Sequence, residues 1–203
     1  MKKVLIFDYD GTIVDSLAVF KRSLIETCRE HGFSQITEED FLSIFNGNMY
    51  EGLQHRGIPK ETVTTILKDL KIKLLASQHN LHFFPGMEDA LKQLAQQYPL
   101  FIITSNISDV VEHFLQLSNV NYREVVGGEK EPSKVIKIGH IKEQFPDAEL
   151  VYVGDTRGDI IEGREAGVKT VAVTWGWHEQ KILEQEKPDY VAHSADELTT
   201  LLG

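Results

Sequence analysis

The chain has 203 residues, 41% of them hydrophobic and 26% charged, with a formal net charge of −10. That balance suits a folded protein with one ordinary core, or a core plus a small inserted unit, and excludes a disordered chain. The acidic excess excludes general affinity for nucleic acid or anionic membranes, so an anionic substrate would need a cation or well-placed Lys and Arg.

The chain opens on Val4-Leu5-Ile6-Phe7, an apolar run that reads as a buried parallel strand. It breaks off into Asp8-Tyr9-Asp10-Gly11-Thr12. Side chains alternate along an extended strand, so Asp8 and Asp10 emerge on one side, and Gly11 lets the chain turn away. Two acids at the carboxyl end of a central strand suit a nucleophile paired with a proton donor, or a shared metal site. Asp15-Ser16 can cap a helix carrying Leu17, Phe20, Leu24 and Cys28 inward, ended by His31-Gly32. Thr37-Glu38-Glu39-Asp40 resembles a capping box and starts a second helix through Phe45. After an Asn46-Gly47-Asn48 turn, a third helix begins near Pro59 and carries Val63, Ile66, Leu67, Leu70 and Leu74 on one face. From Asp15 to about Leu81 nothing reads as a strand.

From Phe84-Pro85-Gly86 onward strands and helices alternate. A helix through Leu91 and Leu94 precedes a second buried strand, Leu100-Phe101-Ile102-Ile103, which ends in Thr104-Ser105-Asn106. Ser108 caps the next helix, and a weaker strand around Glu124-Val125-Val126 reaches Gly127-Gly128. Ser133 opens a helix with Val135, Ile136, Ile138 and Ile141, and Leu150-Val151-Tyr152-Val153 ends in Gly154-Asp155. A helix from about Asp159 stops at Gly167, a natural left-handed cap position. Strands at 169–174 and 189–192 and a final helix to Leu202 complete the pattern. It predicts an α/β fold, a Rossmann-like parallel sheet with helices on both faces, interrupted after its first strand by an all-helical insertion. The single cysteine, Cys28, rules out an internal disulfide framework. No leader opens the chain, and no apolar run approaches the roughly 20 residues of a membrane span. A cytoplasmic, soluble protein is expected, with the oligomeric state left open.

The carboxyl ends of parallel strands gather at one edge, where ligands bind. That edge would hold Asp8 and Asp10, Ser105-Asn106, a lysine-bearing loop after Gly128, and Asp155 with Asp159. Such a set suits phosphoryl transfer, and acids that would otherwise repel a phosphate imply a divalent cation, which oxygen ligands select as Mg²⁺.

These segments resemble the haloacid-dehalogenase superfamily along the whole chain. Asp8-Tyr9-Asp10-Gly11-Thr12 looks like its first motif, Ile103-Thr104-Ser105-Asn106 its second, and Gly154-Asp155-Thr156-Arg157-Gly158-Asp159 its fourth. Phe84-Pro85-Gly86 and Val173-Thr174-Trp175-Gly176 resemble the phosphoglycolate-phosphatase-like branch. The resemblance implies a core of residues 1–14 and 83–203 and a type 1 helical cap of residues 15–82. It further implies a Mg²⁺-dependent phosphatase for a small phosphorylated metabolite, with Asp8 as nucleophile and Asp10 as acid and base. Ser105 would donate to the phosphoryl group, helped by the backbone around Asn106. Mg²⁺ would be held by Asp8, the Asp10 carbonyl and Asp155, with Asp159 as ligand or support. A sugar-phosphate mutase or a phosphonatase on the same core, or a non-catalytic phospho-ligand sensor, are the competing readings.

The third motif departs from the family pattern. In Glu129-Lys130-Glu131-Pro132-Ser133-Lys134, neither lysine precedes a proline. If Ser133 caps the helix, Lys130 lies in the loop and Lys134 in the first turn, and loop placement favours Lys130 as the reaching lysine. Lys134 remains a second candidate near the substrate. In the insertion, Arg56 is a candidate partner for a substrate carboxylate or second phosphate. Glu162 is expected on a solvated helix face, and Trp175 and Trp177 as packing at a strand end.

Overall fold

The computed structural model describes residues 2–203. Six parallel strands form the sheet: β1 (Lys2–Phe7), β4 (Leu100–Ile103), β5 (Glu124–Val126), β6 (Ala148–Gly154), β7 (Lys169–Val173) and β8 (Tyr190–Ala192), in the order β5-β4-β1-β6-β7-β8. β1 is central, paired to β4 through Leu5–Leu100 and to β6 through Val4–Leu150. Strand alternation then divides the apolar runs between two cores. Leu5, Phe7, Leu100, Ile102, Val151 and Val153 point to one face, where they meet α5 (Met87–Ala95), α6 (Ser108–Leu115) and α10 (Ala195–Leu202). Val4, Ile6, Phe101, Ile103, Leu150 and Tyr152 point to the other, against Ile138 and Ile141 of α7 (Lys134–Gln144). Burial on both faces is why these strands read as continuous apolar runs.

The insertion is helical as expected, in α1 (Leu17–Glu30), α2 (Glu38–Phe41) and α4 (Lys60–Ala76). Thr37 caps α2 by accepting from the Asp40 N–H, and the chain continues as a 3₁₀ turn over Leu42–Phe45. A further short helix, α3 (Met49–Gln54), follows the 46–48 turn, its first N–H groups capped by Asn48. It was not legible as a helix, because six residues give no periodic signal. The same holds for α9 (Gln180–Gln185). The two ends of the insertion are tied by an antiparallel ladder, β2 (Val14–Asp15) with β3 (His82–Phe83). Asp15 is therefore a strand residue rather than part of the helix cap, again in an element too short to announce itself. α6 begins at Ser108 itself, with Ile107 at the cap position.

The insertion sits over the carboxyl edge of the sheet. Gly158, in the first turn of α8 (Arg157–Glu165), shows how closely. A Cβ there would stand 2.7 Å from the Gly47 carbonyl oxygen and 3.0 Å from that of Phe45. Asn48 donates to the Pro132 carbonyl and His178 Nε2 lies 3.1 Å from the Leu42 carbonyl, so three connections of the core meet the 42–48 segment. No helix among the described residues is long and apolar enough to cross a membrane.

Candidate active site

Asp8 follows β1 directly, and its N–H continues the sheet ladder to the Val153 carbonyl at 2.8 Å. The turn behind it depends on Gly11, which has φ +83°; a Cβ there would come within 2.2 Å of the Asp155 carboxylate. Only glycine combines that backbone with that approach. Asp8, Asp155 and Asp159 are all buried, and each offers a carboxylate oxygen within 4.8 Å of the others. The Asp10 side chain lies outside this trio but lines the same small pocket as Asp8, accepting from Asn106 Nδ2 at 2.9 Å.

Lys134 is the charge that holds the trio together. Its ammonium lies 2.8 Å from Asp8 and 2.5 Å from Asp159. This corrects the expectation for Lys130, whose ammonium instead donates to the Val125 carbonyl at 3.2 Å. The helix start itself is where the sequence put it: Ser133 is the cap and accepts from the Ile136 N–H. The flaw lies in the step from loop placement to reach. Side chains in the first turn of a helix lean back past its N-terminus, and that end of α7 faces the carboxyl edge of the sheet. The spacing also carried a signal. Lys134 stands four and seven residues before Ile138 and Ile141, on the buried stripe of α7, whereas Ile136 is exposed.

Glu162 is a second correction. It is buried rather than solvated, and accepts the Lys134 backbone N–H at 3.0 Å, helping to seat the start of α7. Arg56 is a third. Its guanidinium donates to the Gly52 carbonyl at 2.8 Å and to Ser43 Oγ at 2.5 Å, inside the insertion and away from the pocket lining. Ser105 lines the pocket, while the Asn106 side chain is turned onto Asp10. Trp177 packs as expected and also lines the pocket; its backbone N–H donates to Asp155 at 2.7 Å.

Burial governs the electrostatics. It raises Asp8 to about 7, against the opposing pull of Lys134, with the Asp159 charge adding to the rise. Burial likewise lifts Asp10 to about 6, moderated by the hydrogen bond from Asn106. Asp155 is pushed well above the carboxylate range by burial and by the charges of Asp159 and Asp8. Burial opposes ionisation of Asp159 too, but Lys134 outweighs it and holds that carboxyl below its ordinary value. Lys134 stays charged because Asp159, Asp8 and Glu162 overcome its own desolvation.

The donor set is all oxygen, dry, and more negative than one lysine can balance, a chemistry that suits a hard divalent cation. The three carboxylates are not equivalent in their availability. Asp159 already accepts from Lys134, Tyr152 OH, Thr156 N–H and Thr156 Oγ1. Asp155 accepts from Thr12 Oγ1 at 2.7 Å and from Trp177 N–H.

The haloacid dehalogenase-like hydrolase profile matches residues 5–173, spanning every strand end that contributes to this cluster. The chain belongs to that family. Across nearly its whole length the hydrolase is similar to a phosphoglycolate phosphatase from Synechococcus elongatus, at 28% identity over 97% of this chain and 95% of the relative. It is also similar to the pyrophosphatase PpaX of Bacillus mycoides, at 26% identity over 98% and 96%. Among solved structures, a haloacid dehalogenase-like hydrolase from Streptococcus pneumoniae superposes with a TM-score of 0.80 at 23% identity, covering 100% of this chain and 99% of that one. A hydrolase from Pseudomonas syringae does so with 0.83 at 19%, covering 99% and 98%.

Proposed function

We propose that the hydrolase is a Mg²⁺-dependent phosphatase of a small phosphorylated metabolite, working through a phosphoryl group carried on Asp8. The observation that carries this reading is the pairing of Asp8 with Lys134 beside a separately held Asp10. Lys134 orients one Asp8 oxygen and favours the ionised carboxylate against burial, leaving the other oxygen to attack phosphorus. As that bond forms, the bond from phosphorus to the ester oxygen breaks, and Asp10 delivers its proton to the departing oxygen. The Asp10 carboxylate then takes a proton from water, whose oxygen attacks phosphorus, releases phosphate and restores Asp8. A group near 6 suits both halves of that exchange. Ser105 would donate to a phosphoryl oxygen, and Asn106 would act by fixing Asp10.

Asp8 and Asp155 would hold the cation, with Asp159 acting on it through Lys134 and water, because its own oxygens are already engaged. When bound, the cation would neutralise phosphate charge and bring Asp8 into its nucleophilic form. Residues 15–82 would act as the cap. The pocket beneath it has a volume of about 20 Å³, room for a water-sized guest, so substrate entry would require the cap to lift on its β2–β3 tether. Among the described residues Lys134 is the only lysine that lines the pocket, which weighs against a phosphonatase needing a cap lysine for a Schiff base. The names of the full-length relatives support phosphate chemistry, and a buried lone cysteine fits the cytoplasm. A panel of phosphometabolites assayed with Mg²⁺ and with chelator tests the proposal. Metal-independent turnover, or full turnover by Asp8→Asn, would defeat it.

A further inference from the structure

The floor of the pocket is polar, but its roof is not. Phe20 of α1, Phe45 of the 3₁₀ turn and Trp177 beyond β7 close it. The three rings meet edge to face, Phe45 and Trp177 with centroids 4.8 Å apart, Phe20 and Trp177 5.5 Å apart, and Phe41 packs behind them. Among the described residues the pocket lining holds one cation, Lys134, already shared between Asp8 and Asp159. Nearby cations are engaged elsewhere: Lys137 with the Thr104 carbonyl, Lys21 with Glu38, Arg56 with Gly52 and Ser43, and Arg157 with Glu186. Lys60, Lys68 and Lys71 line a different cleft, between α4 and the 128–133 loop. The buried indole N–H of Trp177 has no partner among the described residues, yet one neutral donor does not balance a carboxylate.

Resting on the phosphatase reading above, we infer that the ester group released from phosphorus is compact and uncharged, and that Phe20, Phe45 and Trp177 are the specificity-determining residues. A leaving group bearing a second anion would be desolvated against three rings, in a pocket lined by the carboxylates of Asp8 and Asp10, with no free side-chain cation in the lining to meet it. A neutral one loses little on entering and gains contact with the rings.

The test compares kcat/KM for 2-phosphoglycolate and for its amide, two esters of near-equal shape that differ in charge. With Mg²⁺ present, the amide is expected to lead by about a hundredfold, since the site leaves the carboxylate's charge unpaired. Phe45→Lys should shift that ratio toward the carboxylate by about tenfold or more, as a cation enters the roof, while Phe45→Leu should leave the ratio in place. Each ratio is taken within one protein, so the fraction folded cancels, and the parent enzyme alone decides the main point. Equal or faster turnover of 2-phosphoglycolate would overturn the inference and leave the phosphatase reading standing. No Mg²⁺-dependent turnover of either ester, or of p-nitrophenyl phosphate, would overturn both.

Discussion

Replacing Lys134 by methionine keeps most of the length of the side chain and removes its charge. At an effective dielectric near 20, a unit-charge pair at 2.8 Å is worth about 6 kcal/mol before desolvation, and Lys134 makes two such contacts. Burying the ions costs several kcal/mol each, so the intact arrangement is close to balanced. The variant is not, because it keeps the buried carboxylates and loses their counter-charge. Without divalent cation, Lys134→Met should lose about 3–5 kcal/mol of stability at pH 8, the usual penalty for breaking a buried pair from one side. Loss of the lysine raises the folded-state values of Asp8 and Asp159. The deficit should therefore be greatest at high pH and shrink as pH falls and the two carboxyls take up protons. Saturating Mg²⁺ should recover part of it. Turnover should fall by about a hundredfold or more even with Mg²⁺, as for other preorganised charge stabilisers. Urea titrations at pH 8 and pH 5.5, with and without Mg²⁺, read the first effects, and single-turnover hydrolysis reads the last. Lys130→Ala is the contrast: it loses one hydrogen bond to a carbonyl, about 1 kcal/mol or less, and should keep near-normal turnover. A metal-free Lys134→Met protein as stable as its parent at pH 8 would refute the electrostatic account.

Asp8→Asn should abolish turnover yet leave the metal-free protein at pH 8 as stable as the parent or more so, because it removes a carboxylate that burial already disfavours. Turnover within about tenfold of the parent would reject Asp8 as nucleophile. Asp10→Asn should slow single-turnover transfer far more for alkyl than for activated aryl phosphates, which need no proton; equal losses would remove Asp10 as the acid. Asp8 and Asp10 have folded-state values raised to about 7 and about 6. The stability they contribute is complete below about pH 4 and is lost as pH rises toward 7. Mg²⁺ should accordingly raise Tm more at pH 8 than at pH 5.5, and scanning calorimetry showing the reverse order would contradict that sign. Glu162→Gln keeps an acceptor for the Lys134 N–H and should cost under about 1 kcal/mol, whereas Glu162→Ala should cost more, by urea titration.

The sequence by itself determined the architecture and pointed to most of the residues gathered at the candidate site. Strands buried on both faces, such as Val4–Phe7 and Leu150–Val153, must be apolar throughout, and their abrupt polar ends mark one edge of a parallel sheet. Asp8, Asp10, Ser105, Asp155 and Asp159 were legible because each follows such a strand within a few residues. What lies on helices was harder to read. Ser133 correctly announced the start of α7, but whether Lys130 or Lys134 reaches Asp8 depends on where that helix end points, a property of packing. Glu162 was invisible for the same reason, since an acid on a helix looks solvated until another helix covers it. Arg56 looked available until the structure closed it onto Ser43 and Gly52. The aromatic roof joins residues 20, 45 and 177, whose rings meet only when the insertion folds back over the sheet. Local rules govern what each residue can do; the tertiary structure alone decides which of them share a dry pocket, because long-range packing sets both distance and dielectric.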